Sequence, residues 1–139
     1  MRPELKALYQ KILLDRAKST LGFEKGPEAQ HIIEAYNPVC GDQFKLFLDL
    51  DTDKVDHASY HGYGCAISKA STSLLIESIQ GKNLDECRKL IDFFKQCMSG
   101  MATNPGEIYQ ALALSKEFPG RQQCAVLSWQ AFENFIDGL

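Results

Sequence analysis

Three cysteines stand where the chain should bend. Cys40 lies in NPVCGD, Cys65 in GYGCAIS and Cys124 in PGRQQCAV, each in or just after turn-forming residues, and the patterns after the last two read as helix openings. A helix N-terminus offers unpaired N–H groups and the positive end of its dipole, which together stabilise a thiolate and lower cysteine from its usual pKa of about 8.5. Asp42 shares the bend with Cys40, two residues on. Three thiolates and a carboxylate make a Cys3Asp donor set suited to tetrahedral zinc. Around a divalent ion that set leaves an excess of negative charge, and Arg121, three residues before Cys124, is the candidate partner for it. A solvated arginine is the alternative reading. The gaps between the cysteines match no short zinc-finger pattern, so the case rests on turn placement and redox context, with unpaired loop thiols as its rival.

The other chemistry-bearing residues read more plainly. Cys87 and Cys97 fall inside a helical pattern and are expected to be small buried hydrophobes. His57 and His61 share one face of a strand pattern, and His31 lies in irregular chain; His61, four residues before Cys65, is an outside candidate ligand and the other two read as surface groups. Ser68, Ser71, Ser73 and Lys69 follow Cys65 with no His/Asp setting to activate a serine. GYG is too short for a phosphate loop and reads as a turn. Trp129 sits at helical spacing, as core or as partner surface.

Composition sets the frame around these residues. The 139 residues carry 45% apolar and 24% charged side chains and a net charge of −3, ordinary for one globular domain spanning 1–139, with no basic cluster of the kind nucleic acid requires. Charges inside the first six residues argue against a secretory signal, and no run approaches the ~20 apolar residues needed to span a bilayer. A cytoplasmic chain without membrane or nucleic-acid partners is the expectation. In that reducing setting five cysteines, an odd number, favour metal or reactive roles over a disulfide framework.

The elements that must position the site follow from periodicity. Leu5, Leu8, Tyr9, Ile12 and Leu13 give an amphipathic helix from Arg2 to about Lys18, then comes a loop running into a short strand near Ile32 to Tyr36. Phe44 to Leu50 and Val55 to His61 alternate around DTDK, an antiparallel hairpin. Ala66 to Ile79 reads as a helix, Asn83 and Glu86 as a capping box before the next, a short helix follows Pro105, and a last one runs from about Cys124 to Ile136 with Leu127, Phe132, Phe135 and Ile136 inward. The expected class is α+β, a small antiparallel three-stranded sheet packed by about five helices.

Taken together, AYNPVCGD, GYGCAISKAS and a late cysteine at the C-terminal helix resemble the U-type iron–sulfur cluster assembly proteins, the family of the NifU N-terminal domain and IscU, over nearly the whole chain. The resemblance implies that Cys40, Asp42, Cys65 and Cys124 hold the metal or cluster. Two features depart from the scaffold branch: Gln123 stands where that branch has a histidine before its third cysteine, and MSGMATNPGEIYQALALS looks like an extra piece. Both resemble the SufU-type branch. That implies a Zn2+-dependent, sulfurtransferase-like acceptor taking persulfide sulfur from a SufS-type cysteine desulfurase and serving downstream iron–sulfur assembly proteins, with Arg121 in the basic position beside the ligands. Cys40 is the expected acceptor, because it lies on a Pro/Gly bend rather than in a helix. The alternative is a scaffold on which iron or a transient [2Fe–2S] cluster is held by the same four residues and transferred; a purely structural zinc module stands third.

Overall fold

The computed structural model describes residues 3–19, 22–103, 105–117 and 120–139. Three antiparallel strands, β1 (His31–Asn37), β2 (Asp42–Asp51) and β3 (Lys54–Tyr63), form a meander in the order β1-β2-β3. The helices are α1 (Pro3–Ala17), α2 (Ala66–Ile79), α3 (Leu84–Met98), α4 (Glu107–Ala113) and α5 (Arg121–Asp137), with a 3-10 turn at Leu114–Glu117. This is the α+β arrangement that the sequence predicts. No helix among the described residues is long and apolar enough to cross a membrane.

Alternation explains the sheet. Phe44, Leu46 and Leu48 of β2 lie opposite Ala35, Ile33 and His31 of β1 and opposite Gly62, Tyr60 and Ala58 of β3, so one face gathers the apolar side chains. That face meets α2 and α5, and Phe44, Leu46, Leu48 and Tyr60 are fully buried there, each such side chain contributing about 2 kcal/mol. Gly62 has no room for a side chain, since it sits at φ +145° and a Cβ would run into the Gln43 carbonyl. Gly62→Ala is therefore expected to destabilise the protein by about 3 kcal/mol or more, read as the shift of a urea unfolding midpoint.

The helices that carry Cys65 and Cys124 are bolted together by small hydroxyls. Ser71 Oγ on α2 donates to the Ala125 carbonyl on α5 at 2.5 Å, Thr72 Oγ1 and Ser128 Oγ share a hydrogen bond at 2.6 Å, and Trp129 Nε1 donates to the Ser71 carbonyl at 3.3 Å. Trp129 is buried and stacks on Phe94 of α3, with centroids 4.1 Å apart and planes within 4°. It is a core residue. Cys87 and Cys97 are buried in α3 as expected, and burial pushes the Cys87 thiol up to about 11. The capping box at α3 is complete, with Glu86 N–H donating to Asn83 Oδ1 at 2.8 Å and Asn83 N–H to Glu86 Oε1 at 3.1 Å.

Several boundaries differ from the sequence reading. β1 and β2 extend to Asn37 and Asp42, so NPVCGD is a hairpin connection rather than a free bend. The chain before β1 also pairs with β3, where Tyr60 N–H donates to the Gly22 carbonyl and Glu24 N–H to the Tyr60 carbonyl. On α1, Leu8 is 48% exposed, because Leu13 and Ala17 face the core with Tyr9 and Ile12 packed beside them. α4, in the extra piece, ties α1 down: Tyr9 donates to Gln110 Oε1 at 3.0 Å, and Tyr109 packs edge-on against Phe93 of α3.

Candidate metal centre

Three chain segments bring the sulfurs to one place, and each does so through its own turn chemistry. Asn37, the last residue of β1, pairs with Asp42, the first of β2. Its side-chain Oδ1 accepts the Val39 N–H at 3.1 Å and its carbonyl accepts the Gly41 N–H at 2.8 Å, an Asx turn that folds Pro38–Gly41 tightly. Gly41 takes φ +75°, which favours glycine. Cys40 is thereby held exposed on the crest while Asp42 is buried at 1% exposure.

The second segment is the step from β3 to α2. Cys65 is the N-cap of α2, with extended φ −68° and ψ 168°, and its Sγ accepts the Ser68 N–H at 3.4 Å. The third is the start of α5. Gly120 caps it in the left-handed region at φ +78°, so the helix begins at Arg121 and Cys124 falls in its first turn rather than opening it. Cys124 is buried, its thiol 3.7 Å from Cys40 Sγ and 3.8 Å from the Gly120 carbonyl.

Among the described residues, Cys40, Asp42 and Cys124 form a group whose donor atoms all lie within 4.8 Å of one another. Cys65, the fourth residue expected there, is not part of that group: its backbone N–H donates to Asp42 Oδ1 at 3.1 Å, and its side chain bears on the site by opposing ionisation of the Cys124 thiol. Asp42 Oδ2 is buried with no hydrogen-bond partner. A buried, unpartnered carboxylate oxygen on a side chain that shares a group with two sulfurs is costly unless a cation completes it, so these donors fit zinc.

The electrostatics correct one expectation: at Cys124 burial and the neighbouring acidic groups outweigh the helix start and raise the thiol instead of lowering it. Burial first, then Asp42, Cys65 and Cys40, hold the Cys124 thiol well above the ordinary cysteine range. Without a cation this group stays protonated. Arg121 is exposed, and Cys124 and then Cys65 raise it above its ordinary value. Because folding raises the Cys124 pKa, its stabilising contribution is complete below the unfolded value and is lost as pH rises beyond it. Metal-free protein is therefore expected to melt at progressively lower temperature above about pH 9, and zinc addition near pH 8 to release protons into a weak buffer.

The histidines take no part in this group. His61 stacks on Phe23 with centroids 4.7 Å apart, His31 lies against Phe135 at 4.9 Å, and His57 is exposed. Gln123 is exposed and lines the groove between β1 and α5 with Asn37 and Pro38. Sequence reasoning missed Asn37, although an Asn-Pro pair at a strand end is a recognisable Asx-turn signal.

Residues 21–136 match the family described as the NifU-like N terminal domain. The chain is 35% identical to the zinc-dependent sulfurtransferase SufU of Bacillus subtilis, over 95% of this chain and 91% of that protein. It is 32% identical to the iron–sulfur cluster assembly scaffold protein IscU of Thermotoga maritima, over 94% of each. The crystal structure of FiSufU from Fervidobacterium islandicum, described as a scaffold protein for the SUF system, superposes with a TM-score of 0.80 at 32% identity, covering 91% of this chain and 95% of that one.

Proposed function

Because the chain belongs to the NifU-like N-terminal domain family, we propose that it serves iron–sulfur cluster assembly as a zinc-dependent sulfur acceptor for a cysteine desulfurase. The observation that carries this reading is the pairing of an exposed Cys40 with a buried, unpartnered Asp42 oxygen and a buried Cys124 in one group. Cys40, Asp42, Cys65 and Cys124 would hold zinc, whose chemistry is to keep bound thiols deprotonated at neutral pH.

The chain's own residues divide the work. Cys124 is enclosed in α5 and Cys65 is fixed as a helix N-cap, whereas Cys40 faces solvent on a four-residue loop held by Asn37. Cys40 Sγ attacks the terminal sulfur of the donor's persulfide: the new bond is Cys40 Sγ to that sulfur, the donor's S–S bond breaks, and the donor thiolate leaves with the electron pair. No outside oxidant is needed. Arg121 balances the anionic sulfurs, which keeps a second negative group, the persulfide, tolerable beside them. The experiment is mass spectrometry of alkylated peptides after mixing with a cysteine desulfurase and cysteine: the added sulfur is expected on the Cys40 peptide, and its presence on Cys124 with Cys40 unmodified would defeat the assignment.

A scaffold role is supported by the equally extensive likeness to relatives named as scaffold proteins. There the cluster would be cargo on the same four residues. Gln123 argues for the acceptor, since its amide is a poor metal donor and is turned toward the β1–α5 groove. Protein purified without added iron and sulfide is expected to be colourless with one zinc; a brown, acid-labile chromophore would reverse the ranking.

A further inference from the structure

We infer that Gly64 is a positioning residue for the carboxylate of the metal centre, its missing side chain leaving the space that Asp42 fills. This rests on the proposed role of Asp42 as a cation ligand. Gly64 does not lie in the left-handed backbone region, so the demand for glycine here is steric rather than conformational. A Cβ at this position would stand 2.8 Å from Asp42 Oδ1, and 2.9 and 3.1 Å from Cε2 and Cζ of the Phe44 ring. Real Cβ atoms essentially never approach within 3.0 Å, so Asp42 Oδ1 and the Phe44 ring edge would have to give way.

The same one-residue step performs a second task. The amide that follows Gly64, that of Cys65, donates to Asp42 Oδ1 at 3.1 Å. The carboxylate is thus pinned by one oxygen in the space beside Gly64, its other oxygen, Oδ2, is buried without a hydrogen-bond partner, and the carboxylate offers an oxygen within 4.8 Å of the Cys40 and Cys124 sulfurs. Gly64 thereby couples the strand end to the helix start: it admits Asp42 and presents the Cys65 amide that orients it. A carboxylate with one oxygen engaged by an amide would offer its other oxygen as a single donor to a cation held by the neighbouring sulfurs.

A Cβ would displace the carboxylate and cost cation affinity in the manner of a lost outer partner, about 10–100-fold. Because Phe44 also crowds the position, the test uses Gly64→Ala both alone and with Phe44→Leu, which removes the ring atoms but not Asp42. Metal-free proteins are titrated with Co2+ and then Zn2+ in competition, and their melting temperatures are measured. The expectation is a 10–100-fold weaker Co2+ affinity in both backgrounds, with sulfur-to-cobalt absorption retained and the ligand-field bands moved to those of Asp42→Ala. In an Asp42→Ala background, Gly64→Ala should change affinity no further. Wild-type affinity and bands in Gly64→Ala/Phe44→Leu, or losses that simply add in the double variant, would overturn the inference. An Asp42→Ala protein that binds Co2+ like the wild type would instead overturn the ligand role of Asp42 on which it rests.

Discussion

Alanine at Cys40 is expected to reduce sulfur acceptance from a cysteine desulfurase to background, a loss on the order of 10³-fold or more, while the protein stays folded. The two halves of this prediction have separate physical origins. Cys40 is exposed on the Pro38–Gly41 connection and belongs to no core cluster, so removing its sulfur opens no cavity. The loop's shape is set by Asn37 through the Val39 and Gly41 amides, and neither bond involves the Cys40 side chain. Chemistry is another matter. Cys124 is 1% exposed, and the Cys65 sulfur is engaged by the Ser68 amide, so neither replaces an exposed nucleophile. Zinc affinity should fall, since one of four donors is lost, but Asp42, Cys65 and Cys124 remain. Single-turnover assays with labelled cysteine, alongside metal analysis and a thermal melt, read these components independently.

Removing zinc with a chelator is expected to lower the melting temperature by about 12 °C. Binding at a thousand times the dissociation constant is worth about 4 kcal/mol, and a chain of this size shifts by roughly 3 °C per kcal/mol. The metal-free fold should survive, since its core of Phe44, Leu46, Leu75, Ile76, Phe132 and Trp129 owes nothing to the cation. What changes is the reactivity of the sulfurs. Cys40 and Cys124 are left 3.7 Å apart, against a disulfide bond length of about 2.05 Å, and Cys40 is the exposed partner. Dilute hydrogen peroxide is then expected to join Cys40 to Cys124, two thiols giving up two electrons and two protons as the peroxide becomes water. Peptide mapping should find that pair in preference to any linkage through Cys65, and zinc-loaded protein should resist.

The parts of this molecule that were legible in its sequence are those decided locally. Asn83 and Glu86 announce a capping box because both partners lie within one helical turn, and Phe44 to His61 alternates because each residue answers to one sheet face. The grouping of Cys40, Asp42 and Cys124 could be anticipated from turn chemistry and redox setting, yet the start of α5 could not: Gly120 in a left-handed cap moves it to Arg121 and carries Cys124 into the first turn. The pairing of Gly22 and Glu24 with Tyr60 joins segments far apart in the chain and leaves no periodic trace. Leu8 was misplaced because one apolar stripe on α1 is wider than the surface that α2 and α4 offer it. Gly64 read only as part of a turn; its neighbour Asp42 comes from another strand, so its steric role emerges only when β2 and β3 are side by side.

The most direct test of the central claim is zinc-edge X-ray absorption on protein purified without added iron or sulfide. The account predicts one zinc per chain surrounded by three sulfurs at about 2.3 Å and one oxygen at about 2.0–2.2 Å, with the oxygen shell altered in Asp42→Ala and a sulfur lost in Cys124→Ala. A shell lacking that three-to-one composition, or one indifferent to both substitutions, would contradict it.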